Sequence, residues 1–177
     1  VILNATPFYG ESGGQVGDSG ELQTPNATVR VNDTKKNDGV ILHMCHIAEG
    51  TLRVGDTVHA AVDAPRREAI RKNHSAVHLL QGALRRVLGN HIEQAGSYVD
   101  EERLRFDFTH YQAMTTEELQ AAEQAVNAAI FAAVPVQTIE TDIETARKNG
   151  AMALFGEKYG KVVRMVKMGE YSTELCG

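Results

Sequence analysis

His74 and His78 stand four residues apart in the run Asn73-His74-Ser75-Ala76-Val77-His78-Leu79-Leu80. A helix places side chains at i and i+4 on one face. Two imidazoles at that spacing suit one zinc ion. Cys176, at the far end of the chain, offers a thiolate as a third ligand. The same spacing also arises by chance, and such histidines are then ordinary surface or satisfied core residues. At about 100° per residue from Ile70, Val77, Leu80, Leu84, Val87 and Leu88 form one apolar stripe. His74 and His78 fall at its edge, where a site would be half core and half cleft.

A helix must carry that pair. Asp63-Ala64-Pro65 is a start signal and Gly89-Asn90 a stop, so the helix is predicted from about 64 to 88. Its first turns hold Arg66, Arg67, Arg71 and Lys72, either a solvated face or a contact for phosphate. Residues 1–63 read as β-rich, with strands at 27–32, 40–47 and 57–62. Turns at Asp38-Gly39, Glu49-Gly50 and Val54-Gly55-Asp56 separate them. Short strands with Gly turns predict a small barrel. The apolar Val1-Ile2-Leu3 runs into a Gly-rich loop from Phe8 to Gly20. There Gly13-Gly14 serve either a turn that needs positive φ or close approach of the backbone to a ligand, with Gln15 beside it. No Gly-Lys-Ser/Thr and no helical pattern follow, so the loop is neither a phosphate loop nor a dinucleotide fingerprint.

Beyond the helix, strands are predicted at 94–99 and 104–108. Leu104, Phe106 and Phe108 face one way, and Arg105 and Asp107 the other. The two charges either pair with each other or border a cleft. Thr115 and Glu118 form a capping box for a helix striped by Leu119, Ala122, Val126, Ile130 and Ala133. A strand at 136–141 precedes a second capping box, Thr141 with Glu144, and a short helix ending near Asn149-Gly150. Residues 151–159 read as loop with a turn of helix, and 161–168 as a strand. The last residues return Cys176 toward the histidines. Helices and strands mix without regular βαβ alternation, so the fold class is α+β. A β-barrel-like subdomain, 1–63, precedes an α+β subdomain, 64–177, with helices packed on an antiparallel sheet.

With 177 residues, 42% of them hydrophobic and 23% charged, the chain has the composition of an ordinary globular protein. No apolar run is long enough for a membrane span, and no signal peptide is visible. Two cysteines make no disulfide framework and suit a reducing cytoplasm. A net charge of −5 argues against an independent nucleic-acid binder. It allows a domain that handles only an RNA end, or one tethered to a larger RNA-binding body. The chain has no initiator Met and stops one residue after Cys176, so we expect an excised piece of a longer protein.

Taken together, several ordered motifs resemble the editing domain of alanyl-tRNA synthetases, nearer to the bacterial form than to the free-standing trans-editing relatives. They are Ala5-Thr6-Pro7-Phe8-Tyr9 with Ser12-Gly13-Gly14-Gln15, the His74/His78 run, and Leu104 to Phe108. Gly150 to Tyr159 and Ser172-Thr173-Glu174-Leu175-Cys176-Gly177 complete the set. The resemblance covers essentially the whole chain. It implies hydrolysis of the ester in seryl- and glycyl-tRNA(Ala), with the tRNA acceptor end and the rest of the synthetase as partners. It implies zinc held by His74, His78 and Cys176, with a fourth ligand, a His, expected beyond Gly177. ATP would belong to the full-length synthetase and is not bound here. Gln94 matches a position implicated in editing and joins His74 and His78 as a catalytic candidate. Thr6, Gly13, Gly14, Gln15, Arg105 and Asp107 are the substrate-binding candidates, with Thr6 assigned to the serine hydroxyl. Zinc either activates water and polarises the ester, or positions the terminal ribose or the amine while a separate water attacks. Two alternatives stay open: a non-catalytic zinc-stabilised tRNA-binding module, and a free-standing deacylase.

Overall fold

A computed structural model describes residues 1–151 and 160–176. Most of the Gly150–Tyr159 motif, and Gly177, lie outside the described residues. The chain groups into two compact units: Val1–Asn73 with Tyr98–Arg103, and His74–Ser97 with Leu104–Gly177.

In the first unit four strands, β1 (Gly20–Thr24), β2 (Ala27–Asn37), β3 (Val40–Gly50) and β4 (His59–Val62), make an antiparallel sheet in the order β3-β2-β1-β4. The expected barrel is thus an open sheet with β3 and β4 as its edges. Leu22, Val29 and Val31 bury one face together with Phe8. β1 escapes prediction because it carries a single buried apolar side chain, Leu22, among Gly, Glu, Gln and Thr. Burial alternates at Ala27, Val29 and Val31, then resumes at Thr34. The change of phase coincides with a register shift between Val31 and Asp33, as a bulge produces.

That phase change matters for the Gly-rich loop. Thr34, now pointing inward, donates from Oγ1 to the carbonyl of Asp18 at 2.9 Å. The Asp18 carboxylate is buried, accepts from Tyr9 N–H at 2.5 Å and pairs with Arg67. Arg66 reaches the Gly17 carbonyl at 2.9 Å and Glu101 at 3.0 Å, and Arg71 pairs with Glu68 at 2.6 Å. Three of the four basic residues are therefore committed within the protein. These bonds also explain why the first unit extends beyond residue 63, into helix α1 (Ala64–Leu88). Ser12 and Gln15 exchange backbone bonds of 3.2 and 3.0 Å around Gly13 (φ 58°) and Gly14 (φ 81°). This is a two-residue turn with positive φ at both centres, which glycine adopts without strain.

After α1, β5 (Gln94–Val99) and β6 (Leu104–Phe108) pair with each other. Helix α2 (Thr116–Phe131) opens with the predicted Thr115/Glu118 capping box. Leu84, Ile92 and Ala122 form a core with Leu80, Phe106 and Phe108 around it. The stripe on α2 is only partly used: Ala122 is buried, whereas Leu119 and Ile130 are exposed. An antiparallel sheet follows in the order β7 (Val136–Thr141), β8 (Val163–Met168), β9 (Ser172–Leu175). Helix α3 (Ile143–Lys148) packs on it through Ala146 and Ile143 against Val163, Met165 and Leu175. Its cap is Asp142, which accepts from Thr145 N–H, and not the expected Thr141. A carboxylate one residue nearer the helix wins the position. Helices and antiparallel sheets share one chain, so the α+β class holds.

Leu22→Ala is expected to destabilise the first unit by about 3 kcal/mol, the range for a buried Leu that leaves a cavity. Urea denaturation followed by circular dichroism checks this. A change under about 1 kcal/mol would mean that β1 is not held by its one apolar contact.

Candidate metal centre

The centre is built within the second unit. His74 and His78 leave α1 on one face with rings stacked at 5.3 Å and 19°. Cys176 follows β9, and its Sγ stands 3.1 Å from His74 Nε2. Two bonds seat its backbone: Cys176 N–H to the Arg164 carbonyl at 2.9 Å, and Arg164 Nη1 to the Cys176 carbonyl at 3.1 Å. One donor atom from each of the three residues lies within 4.8 Å of the others. Among the described residues this is the one such cluster.

What brings β9 to α1 is a glycine. A Cβ on Gly82 would stand 2.5 Å from the Tyr171 carbonyl oxygen, closer than side chains tolerate. The missing side chain lets the turn after β8 rest on the helix. One turn further on, the Arg86 guanidinium lies 5.8 Å from the centre of the Tyr171 ring, a cation–π contact. A mid-helix Gly lowers helix propensity by about 1 kcal/mol against Ala. That penalty was a legible sign of a close packing contact, but sequence reasoning passed over it.

Sequence reasoning also missed Glu174 as a functional residue. Side chains two apart on a strand share a face, so Ser172 and Glu174 both turn inward on β9. The Glu174 carboxylate is buried, lies 2.5 Å from His78 Nδ1 and accepts from Ser172 Oγ at 2.9 Å. This fixes the His78 ring and leaves Nε2 for a metal. A carboxylate behind a metal-binding imidazole is the usual second partner. Its only sequence signal is a charge alternating with Leu175 just before Cys176.

The electrostatics follow from these contacts. Burial alone would push the Cys176 thiol up, but bonds from His74 and His78 outweigh it and bring the thiol down to about 6. Burial alone would lower His78, but bonds to Cys176 and Glu174 hold it up at about 9. A thiolate beside imidazoles is a borderline-soft donor set that suits zinc. Tetrahedral zinc needs such donors about 3.4–3.7 Å apart, so small side-chain adjustments would seat it. The donor set thus fits the group.

The other candidates are placed as follows. Gln94 Nε2 donates to Ser97 Oγ at 3.4 Å. Arg105 Nε pairs with Asp107 at 3.2 Å on an exposed face, the plainer of the two readings for these charges. Thr6, Gly13, Gly14 and Gln15 belong to the first unit. Thr6 Oγ1 accepts from Phe8 N–H at 3.1 Å and lies 2.8 Å from His43 Nε2.

Comparison with known proteins first gives a class. Residues 1–66 match the family model for tRNA synthetases class II (A). Over its whole length the chain is then 58% identical to an alanine–tRNA ligase of Acetivibrio thermocellus and 56% identical to one of Pseudomonas fluorescens. It spans about a fifth of the length of these relatives, 20% in each case. The chain is homologous to a segment of alanine–tRNA ligases. No helix among the described residues is long and apolar enough to cross a membrane.

Two variants probe the centre. Glu174→Gln is expected to weaken zinc binding about 10- to 100-fold, measured by competition with a chelating dye, and to lower the melting temperature of the metal-free protein, because buried His78 loses its ion-pair partner. Unchanged affinity would remove Glu174 from the site. Gly82→Ala is expected to lower the melting temperature and weaken zinc binding together, despite the better helix former. A stabilised variant would show that the Tyr171 contact does not hold β9 in place.

Proposed function

We propose that this chain is the editing domain of an alanine–tRNA ligase. It would hydrolyse the ester that joins serine or glycine to the 3′ end of tRNA(Ala). The observation that carries this reading is the cluster of His74, His78 and Cys176 in a chain 58% identical to an alanine–tRNA ligase. The chemical need is independent of the fold. Glycine fits any pocket shaped for alanine, and serine adds only a hydroxyl, so an apolar synthetic site rejects neither strongly. A second, hydrolytic site restores discrimination.

Water attacks the ester carbonyl, the bond to the ribose oxygen breaks, and the free amino acid and the tRNA hydroxyl leave. His74, His78 and Cys176 would hold zinc, with a fourth ligand, a His expected beyond Gly177, completing the set. Zinc, when bound, supplies a Lewis acid that lowers the pKa of water or anchors the substrate. Glu174 keeps the His78 ring in place through Nδ1. Gln94 is proposed to orient water or the ester by hydrogen bonds, its bond to Ser97 being long and easily exchanged. Thr6 takes the serine hydroxyl, with Gly13, Gly14 and Gln15 forming pocket wall. Arg105 and Asp107 are proposed to border the bound acceptor end. The partners are that acceptor end and the remainder of the synthetase, in the cytoplasm.

Deacylation of seryl-tRNA(Ala), followed by release of labelled serine, tests the reading. His74→Ala is expected to slow it by at least about a hundredfold, or ~2.7 kcal/mol of barrier, with circular dichroism unchanged. Loss of fold in that variant would favour a zinc that only stabilises a binding module. Full activity without His74 would end the hydrolase proposal.

A further inference from the structure

His43, in the middle of a strand, is among the most buried polar side chains, 1% exposed. It sits on β3 with its ring edge-on to Phe8, centroids 5.2 Å apart at 88°. Both ring nitrogens are engaged. Nδ1 lies 3.1 Å from the carbonyl oxygen of Val1, and Nε2 lies 2.8 Å from Thr6 Oγ1. The same Val1 carbonyl also accepts from His43 N–H at 2.9 Å.

These contacts fix the protons. A carbonyl only accepts, so Nδ1 must carry hydrogen. Burial lowers the His43 pKa and outweighs the opposing effect of the Val1 bond. The ring is therefore neutral, and Nε2 presents a lone pair. Thr6 must donate its hydroxyl hydrogen to that lone pair. One lone pair of Oγ1 already accepts from Phe8 N–H at 3.1 Å. Thr6 is only half-buried, and what Oγ1 has left to offer is one lone pair.

We propose that His43 is a positioning residue that locks the Thr6 hydroxyl as a pure hydrogen-bond acceptor, so that Thr6 selects a ligand group able to donate, the hydroxyl of serine. The proposal rests on the editing reading for its substrate and on the His43 geometry for its direction. A freely rotating threonine would bond to donors and acceptors alike, including water held in either orientation. A locked one meets a seryl hydroxyl as donor and offers nothing to glycine or alanine. A site committed to one hydrogen-bond role discriminates more sharply than an adaptable one, because the wrong partner leaves a polar group unpaired.

Two substitutions separate this role from simple anchoring of the N-terminal segment. In His43→Asn the amide N–H₂ can keep the Nδ1 bond to Val1, but no atom reaches the Nε2 position. In His43→Gln the longer side chain can place its amide oxygen near Nε2 and loses the Val1 bond. The ratio of seryl- to glycyl-tRNA(Ala) hydrolysis is the readout. It is expected to fall about tenfold in the Asn variant and much less in the Gln variant. An unchanged ratio in Asn, or a larger fall in Gln than in Asn, overturns the proposal. Nitrogen NMR of the unmodified protein provides a second arm that needs no variant to fold. Nδ1 is expected to carry the proton and Nε2 none, and a protonated Nε2 overturns the lock. A protein that hydrolyses neither ester overturns the editing reading and with it the specificity role, while the NMR arm still decides the hydrogen-bond direction.

Discussion

Nothing larger than a hydrogen atom fits between α1 at Gly82 and the Tyr171 carbonyl. The candidate metal centre depends on that approach. The two histidines are fixed by one helix and need no help to face the same way. Cys176 is 98 residues beyond His78, and only the seating of β9 on the helix brings its sulfur to 3.1 Å from His74. Strand β9 has four residues and, among the described residues, pairs with β8 alone. The approach of Tyr171 to Gly82 and the bond of Glu174 to His78 set its height along the helix. A shift of β9 by one residue would turn Ser172 and Glu174 away and send the sulfur elsewhere.

Both units use the same device to control an imidazole. In the first, the Val1 carbonyl takes the Nδ1 proton of His43 and leaves Nε2 to act on Thr6. In the second, Glu174 engages Nδ1 of His78 and leaves Nε2 for a metal. The partner's charge separates the two outcomes. A neutral carbonyl leaves burial to dominate, and His43 stays neutral. A carboxylate and a thiolate outweigh burial, and the metal-free His78 is held protonated. Bound zinc would replace that proton, since a metal ligand must be neutral imidazole.

The Gly-rich loop shows how a plain structural need and a functional one share residues. Gly13 and Gly14 are required by the tight turn whatever else they do. The loop is then clamped from several sides. Val16 N–H bonds to the Val99 carbonyl and Val99 N–H to the Gly14 carbonyl, at 3.0 and 2.8 Å. Asp18 is held by Tyr9 and Arg67. Arg66 and Arg67 reach into this loop at the Gly17 carbonyl and the Asp18 carboxylate.

Local pattern was enough for most elements, because their causes are local. The period of 3.6 and the flanking Asp63 and Gly89 delimit α1, and alternation delimits β6. The Thr115 box starts α2. The same periodicity put His74 and His78 on one face. Where local signals compete or are faint, the sequence was not enough. β1 holds one apolar side chain, the cap of α3 fell to Asp142 over Thr141, and the barrel proved to be an open sheet. The partners of the site residues were least legible of all. Glu174 with His78, His43 with Thr6, and Gly82 with Tyr171 are separated by 96, 37 and 89 positions. No periodicity links residues so far apart, and only burial in a common tertiary setting decides which nitrogen carries a proton and which sulfur a metal would meet.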